Sequence, residues 1–144
     1  MTDLVDALLA KPGLYLGPQL DPTGEHGAGA ARIHVSPLPG GSGVMMDYEV
    51  LHPDGKLGHQ EHAMVVRTTT GLVMTTSHTH AAVTTVIPET EPGYFEAAEG
   101  AAPFPSAIRL EVPEPGHLVF TWSYGWGDTP LAVRDIGDVR LVDG

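Results

Sequence analysis

At 144 residues, 42% of them hydrophobic and 17% charged, the chain has the size and balance of one folded domain and is too apolar for a disordered segment. Eighteen acidic residues against seven basic ones give a formal net charge of -11, which repels phosphate backbones and anionic lipid surfaces, so neither nucleic acid nor membrane is an expected partner. The lack of cysteine excludes disulfides, thiolate catalysis and sulfur-based zinc sites, leaving His, Asp and Glu as metal ligands.

The opening MTDLVDALLAKPG has two aspartates before its single lysine and no long apolar run. It does not read as a secretory leader or a membrane span, and a cytoplasmic location is expected. The one good helical stretch is 3–10, where Thr2 can cap and Leu4, Leu8 and Val5 gather on one side; Pro12 and Gly13 end it. The remainder alternates short runs of Val, Ile, Thr, Met and aromatics with Pro, Gly, Asp and Ser, as a β meander does. Strands are expected at 28–36, 43–52, 56–68, 71–80, 82–87, 93–98, 106–112, 117–126 and 129–142, the last broken around Gly137. No linker divides the chain, so residues 1–144 form a single domain.

Three turns, His52-Pro53-Asp54-Gly55, Thr68-Thr69-Thr70-Gly71 and Pro113-Glu114-Pro115-Gly116, each finish in glycine, as tight hairpins with a left-handed residue do. If the residue before each turn pairs with the one after its glycine, His52 faces Lys56, Thr68 faces Leu72 and Pro113 faces His117. One face of the first two hairpins then collects Val44, Met46, Tyr48, Val50, Gln60, His62, Met64, Val66, Leu72, Met74, Thr76, His78 and His80. The other collects Met45, Asp47, Glu49, His59, Glu61, Arg67, Thr75, Ser77 and Thr79. In the third hairpin Ile108, Leu110 and Val112 share a face with Leu118, Phe120, Trp122 and Tyr124, and Arg109 and Glu111 point outward. Consecutive antiparallel strands with one apolar face and no helices to cover it close on themselves. The expected fold is an all-β, closed, antiparallel up-and-down barrel of about eight to ten strands with a short N-terminal helix, filled by side chains or holding one small ligand.

On this register His62 lies across from His78 and His80 across from Gln60, beside Met46, Tyr48 and Thr76. The reading requires His62 and His78 on the same side of the sheet. Three imidazoles on adjacent strands can form one side of a metal polyhedron, so a divalent metal on His62, His78 and His80 is a candidate cofactor. They can also bind a carboxylate or move protons. A two-residue loop would instead bring His59 and Glu61 to His78 and His80, again a ligand set. Phe120, Trp122, Tyr124 and Trp126 alternate onto the inner face; Trp122 and Tyr124 are expected to line a pocket and Phe120 to be core, with Met46, Met64 and Met74 fitting a ligand or filling gaps. His26, His34, His52 and His117 fall in loops or at strand ends and are expected to be solvated.

The short helix, the run Gly13-Leu14-Tyr15-Leu16-Gly17 at the start of a meander, and Arg140 in the last strand together resemble the calycin barrels: lipocalins, fatty-acid-binding proteins and nitrobindin-like proteins. In that group a Gly-x-Trp near the first strand packs beneath an arginine of the final strand and closes one barrel end. The resemblance implies that role for Gly13, Tyr15 and Arg140, with Tyr15 in place of the Trp. Nitrobindin-like members hold haem through a histidine close to the C-terminus; no histidine follows His117, so haem is not expected by that route.

The leading expectation is a binding module for a small, largely apolar molecule whose polar end meets the histidines, the ligand set being Met46, Tyr48, Gln60, His62, Met64, Met74, Thr76, His78, His80, Trp122 and Tyr124. Its rival is a metal- or histidine-dependent isomerase, cyclase or hydrolase on the same barrel. A filled barrel acting through its surface is the third reading. A homodimer is compatible with each.

Overall fold

The computed structural model describes residues 3–24, 27–97 and 105–142. Asp3 opens the helix α1 (Leu4–Leu9), its carboxylate accepting from the Asp6 amide at 2.8 Å. The expected cap, Thr2, lies outside the described residues. Val5 and Leu8 are buried, and Leu4 and Leu9 pack beside them.

Ten antiparallel strands follow: β1 (Gly13–Leu20), β2 (Gly29–Pro37), β3 (Gly43–Leu51), β4 (Leu57–Thr68), β5 (Gly71–His78), β6 (Ala81–Glu91), β7 (Tyr94–Glu96), β8 (Ser106–Glu114), β9 (His117–Trp126) and β10 (Thr129–Leu141). Each pairs with the next, and β1 closes the barrel against β10. Alternation puts Ile33, Val35, Val44, Met46, Met74, Phe95, Leu110, Leu118, Phe120 and Val139 inside, all almost fully buried. The closing strand β1 was visible in the sequence only as the run that begins a meander. The last strand runs through Gly137 without a break, but two bulges, between Thr129 and Ala132 and between Val133 and Asp135, shift its register against β9.

One expectation about facing is overturned. Lys56 faces His52 as expected, the His52 amide donating to the Lys56 carbonyl at 2.9 Å. Beyond it Leu51 pairs with Leu57 and Val50 with His59, so Gly58 is an extra residue with nothing opposite. The His52 ring packs so closely over Gly58 that a Cβ there would overlap it; a bulge at an isolated strand glycine follows. At the far end of β4, Thr68 pairs with Gly71 and Arg67 with Leu72, leaving a two-residue loop. The Thr68 hydroxyl closes that loop, donating to the Gly71 carbonyl at 2.7 Å and accepting from the Thr70 amide at 3.2 Å. Both effects shift β4 by one residue, so His59, Glu61, Ala63 and Val65 point inward, and Gln60, His62, Met64 and Val66 outward. In the third hairpin the loop is also two residues, with Glu114 opposite His117, but an irregularity between Glu111 and Glu114 restores the expected pairing of Leu110 with Phe120.

The same shift gives α1 its seat. Arg67, on the inward side of β4 at its end, reaches Asp3 and, at 2.6 Å, Asp6 of the helix. With α1 packed against β2, β3, β4 and β8, this end of the barrel is closed by the helix. Tyr15 is buried beneath it, donating to the Lys11 carbonyl at 2.6 Å. Arg140 does not cover Tyr15. It pairs across the strands with Leu16 and extends outward to Glu114 at 3.0 Å, so the closure implied by the calycin resemblance is made here by α1.

At Gly17 any Cβ would overlap the Asp138 carbonyl of β10. Gly17→Ala is expected to cost about 1–3 kcal/mol of stability, whereas Leu16→Ala, next to it and 45% exposed, should stay within about 0.5 kcal/mol. Urea unfolding of the two variants beside the parent checks this.

Candidate functional site

The end of the barrel opposite α1 holds a cavity of about 540 Å³ lined by Gln19, Tyr48, Val50, His52, Gly58, His59, Glu61, His80, Phe120, Trp122, Tyr124, Trp126 and Asp135. That volume suits one small organic molecule. Strand alternation in β9 brings Phe120, Trp122, Tyr124 and Trp126 to one wall, where Trp122 and Tyr124 lie 4.5 Å apart between ring centres. Arg134 fixes the outer part of this wall. Its guanidinium lies 4.7 Å from the Trp126 ring and 5.4 Å from that of Tyr124, and its Nε donates to the Tyr124 carbonyl at 2.8 Å.

The facing wall is polar and comes from β4 and β5. Glu61 has a side chain only 2% exposed. One carboxylate oxygen accepts from the Thr76 hydroxyl at 2.6 Å and the other from His59 Nε2 at 3.0 Å. A buried carboxylate needs such partners, since its desolvation costs several kcal/mol when unpaired. The His59 ring is boxed by other rings: His80 stacks on it at 5.1 Å, Trp122 lies at 4.9 Å, His78 at 5.8 Å and Tyr48 meets it edge-on at 5.9 Å. Its second nitrogen, Nδ1, is buried and has no hydrogen-bond partner.

A third polar group crosses the barrel from β3 to β1 and β10. Tyr48 donates to the Gln19 side-chain oxygen, and Gln19 Nε2 donates to Asp135 at 3.3 Å. Gly137 makes the room, because a Cβ there would lie 2.7 Å from the Tyr48 hydroxyl oxygen. Burial, with Asp135 and Glu61 adding to it, pushes the Tyr48 phenol far above its ordinary value, so the hydroxyl keeps its proton.

Tyr48, His80, Trp122 and Tyr124 of the expected set thus line the cavity; Thr76 bonds Glu61, and His78 packs near the His59 and Trp122 rings while lining a second, outer cavity. Met46 and Met74 are inward but fully buried core. Gln60, His62 and Met64 are corrected: they lie on the outer face, because β4 is shifted by one residue. His62 and His78 therefore stand on opposite sides of the sheet, and the three-histidine patch His62, His78 and His80 does not form. His62 instead bonds Asp47 at 2.7 Å in that second, more open cavity, which Arg32, His34, Glu49 and Gln60 also line and which Tyr48, Glu61 and His78 border. The set that converges inside is the one a two-residue loop requires: His59, Glu61, His78 and His80. Among the described residues no group of three or more His, Asp or Glu side chains is placed to hold a metal ion.

Four cavity residues were not singled out from sequence. His52, half-exposed, also lines the cavity, its ring packed over Gly58. Gln19 belonged to a strand not counted, Asp135 lies past a bulge that hides its side, and Trp126 shared the inner face without a role. His34 and His117 are engaged, with Ser36 at 3.2 Å and Asp138 at 2.6 Å. His26 lies outside the described residues.

No family model matches the chain, and no curated protein matches its sequence. Among the described residues no helix is long and apolar enough to cross a membrane.

His78 gives the site a dependence on pH. Burial holds it below the ordinary histidine value of 6.5; Glu61 opposes this, and His59 and His80 add to it. The unfolded chain takes up the proton near pH 6.5 and the folded one only at lower pH. Stability present above that value is therefore lost as the solution is acidified through the folded-state titration. Thermal unfolding should show a lower Tm at pH 5 than at pH 7.5, and His78→Gln should lose less over the same interval.

Proposed function

We propose that the barrel binds one small, largely apolar molecule in the manner of a calycin, with the ligand's polar end against His59, Glu61 and His80. The observation that carries this reading is the cavity of about 540 Å³, apolar and aromatic along β9 and polar along β4 and β5. The division of the walls suits an amphipathic guest. Flat rings accept an apolar body, and a few fixed polar groups set its direction. The meander order, the first-to-last closure and the helix over one end support the calycin comparison as architecture.

The test uses N-phenyl-1-naphthylamine, a neutral apolar fluorophore. The protein should enhance its emission with a stoichiometry of one. Trp122→Ala should weaken binding by about tenfold or more, equivalent to about 1.4 kcal/mol, and Val50→Trp, which fills the cavity, should abolish it. No enhancement, or equal affinity in the parent and both variants, would show that the interior is not the binding place.

A further inference from the structure

All seven Lys and Arg residues of the chain lie among the described residues, and none of them lines the cavity. Two carboxylates do: Glu61 from β4 and Asp135 from β10. The backbone aims Asp135 inward, since it shares a face of β10 with buried Gly137 and Val139 and pairs across the strands with Trp122, an inner residue of β9. Its carboxylate accepts from the buried Gln19 amide at 3.3 Å. Asp135 is only half-buried while lining the cavity, so a guest can touch it. Glu61 is held by Thr76 and His59 and acts on a guest through its field, which an interior screens less than water does. The sign of that field is visible at Tyr48, where Asp135 and Glu61 both add to the burial that keeps the phenol protonated.

A negative interior selects its guest by charge. An anion placed there meets two like charges and no basic side chain on the lining, and the histidines that line it carry charge only when protonated. An ammonium instead regains at Asp135 the partner it gives up on leaving water. The wall beside Asp135 suits the same group, because an indole face attracts a cation through its ring quadrupole, and Trp122 stands next to Asp135 on the neighbouring strand. The outer rings of this wall already hold a cation in that way: the Arg134 guanidinium, which bonds the Tyr124 and Pro130 carbonyls, lies 4.7 Å from the Trp126 ring and 5.4 Å from that of Tyr124. Resting on the binding reading above, we propose that the guest is a cation, a flat and largely apolar body carrying one protonated amine. The amine bonds Asp135 beside Trp122, and the body lies on the aromatic wall of β9. Apolar carboxylates are the molecules this cavity turns away.

Three compounds that share one ring and differ in charge test this: 1-naphthylmethylamine, 1-naphthylmethanol and 1-naphthylacetate, each titrated into the protein by calorimetry at pH 8. The amine should bind the parent about tenfold or more tighter than the alcohol, and the acid more weakly than the alcohol. Asp135→Asn should reduce the amine's advantage over the alcohol to about threefold or less. If that variant fails to fold, the order of the three compounds on the parent still decides. An amine collected merely by the acidic surface would still bind Val50→Trp, which fills the cavity and keeps every surface charge; that variant should bind none of the three. Equal affinity of the parent for all three, or tightest binding of the acid, overturns the cation proposal and leaves the binding reading standing. A preference for the amine that persists in Asp135→Asn or in Val50→Trp overturns it as well. A parent that binds neither these compounds nor N-phenyl-1-naphthylamine overturns both.

Discussion

The constraint on which the site depends is the side of the sheet to which β4 turns its odd-numbered residues. It is imposed twice, at Gly58, where the His52 ring excludes any Cβ and a bulge inserts one residue, and at Thr68, whose hydroxyl draws the hairpin into a two-residue loop. Had either device acted alone, β4 would be out of step with one neighbour. Acting together they keep both ladders in register while exchanging the two faces. Glu61 and His59 go inside, and His62 goes out to Asp47. Arg67 arrives at the end of the barrel where Asp3 and Asp6 of the helix receive it. One residue of offset thus decides both the chemistry of the cavity and the attachment of the helix that closes the other end.

Burying the Glu61 carboxylate, the His59 ring, Gln19 and Tyr48 inside a small barrel runs against the economy of an all-apolar core, since every such group must find a partner or carry a desolvation cost. The structure meets most of that demand locally. Thr76 and His59 satisfy Glu61, and Gln19 joins Tyr48 to Asp135. Polar groups gather at the open end, while the end under α1 is held by apolar contacts around Val5, Leu8 and Tyr15. The bulge in β10 between Val133 and Asp135 serves the same division. It lets Arg134 brace the aromatic wall from beside Tyr124 and Trp126 and lets Asp135, the next residue, face the cavity.

Much of the architecture was legible because it rests on strong local chemistry: period-two alternation in β3, β5, β8 and β9, glycine at the turns, and no helical periodicity after Pro12. The closed meander and the inward aromatic run from Phe120 to Trp126 follow from that alone. The facing of β4 was not legible, because turn type and bulge position depend on contacts that alternation does not report. His52 over Gly58 is one such contact, and the Thr68 hydroxyl on Gly71 is another. The isolated glycine between Leu57 and His59 was the clue available. Tertiary closure likewise overrode the motif comparison at Arg140. A short acidic helix seated by Arg67 already covers Tyr15, so the last strand's arginine is free to point to Glu114.

With α1 fastened across one end, a guest of the proposed cavity would pass the exposed side chains of His80 and Trp126 at the other. Residence time would then be governed by the side chains at that rim. Changes confined to that rim could alter how long a guest stays without altering how it is held.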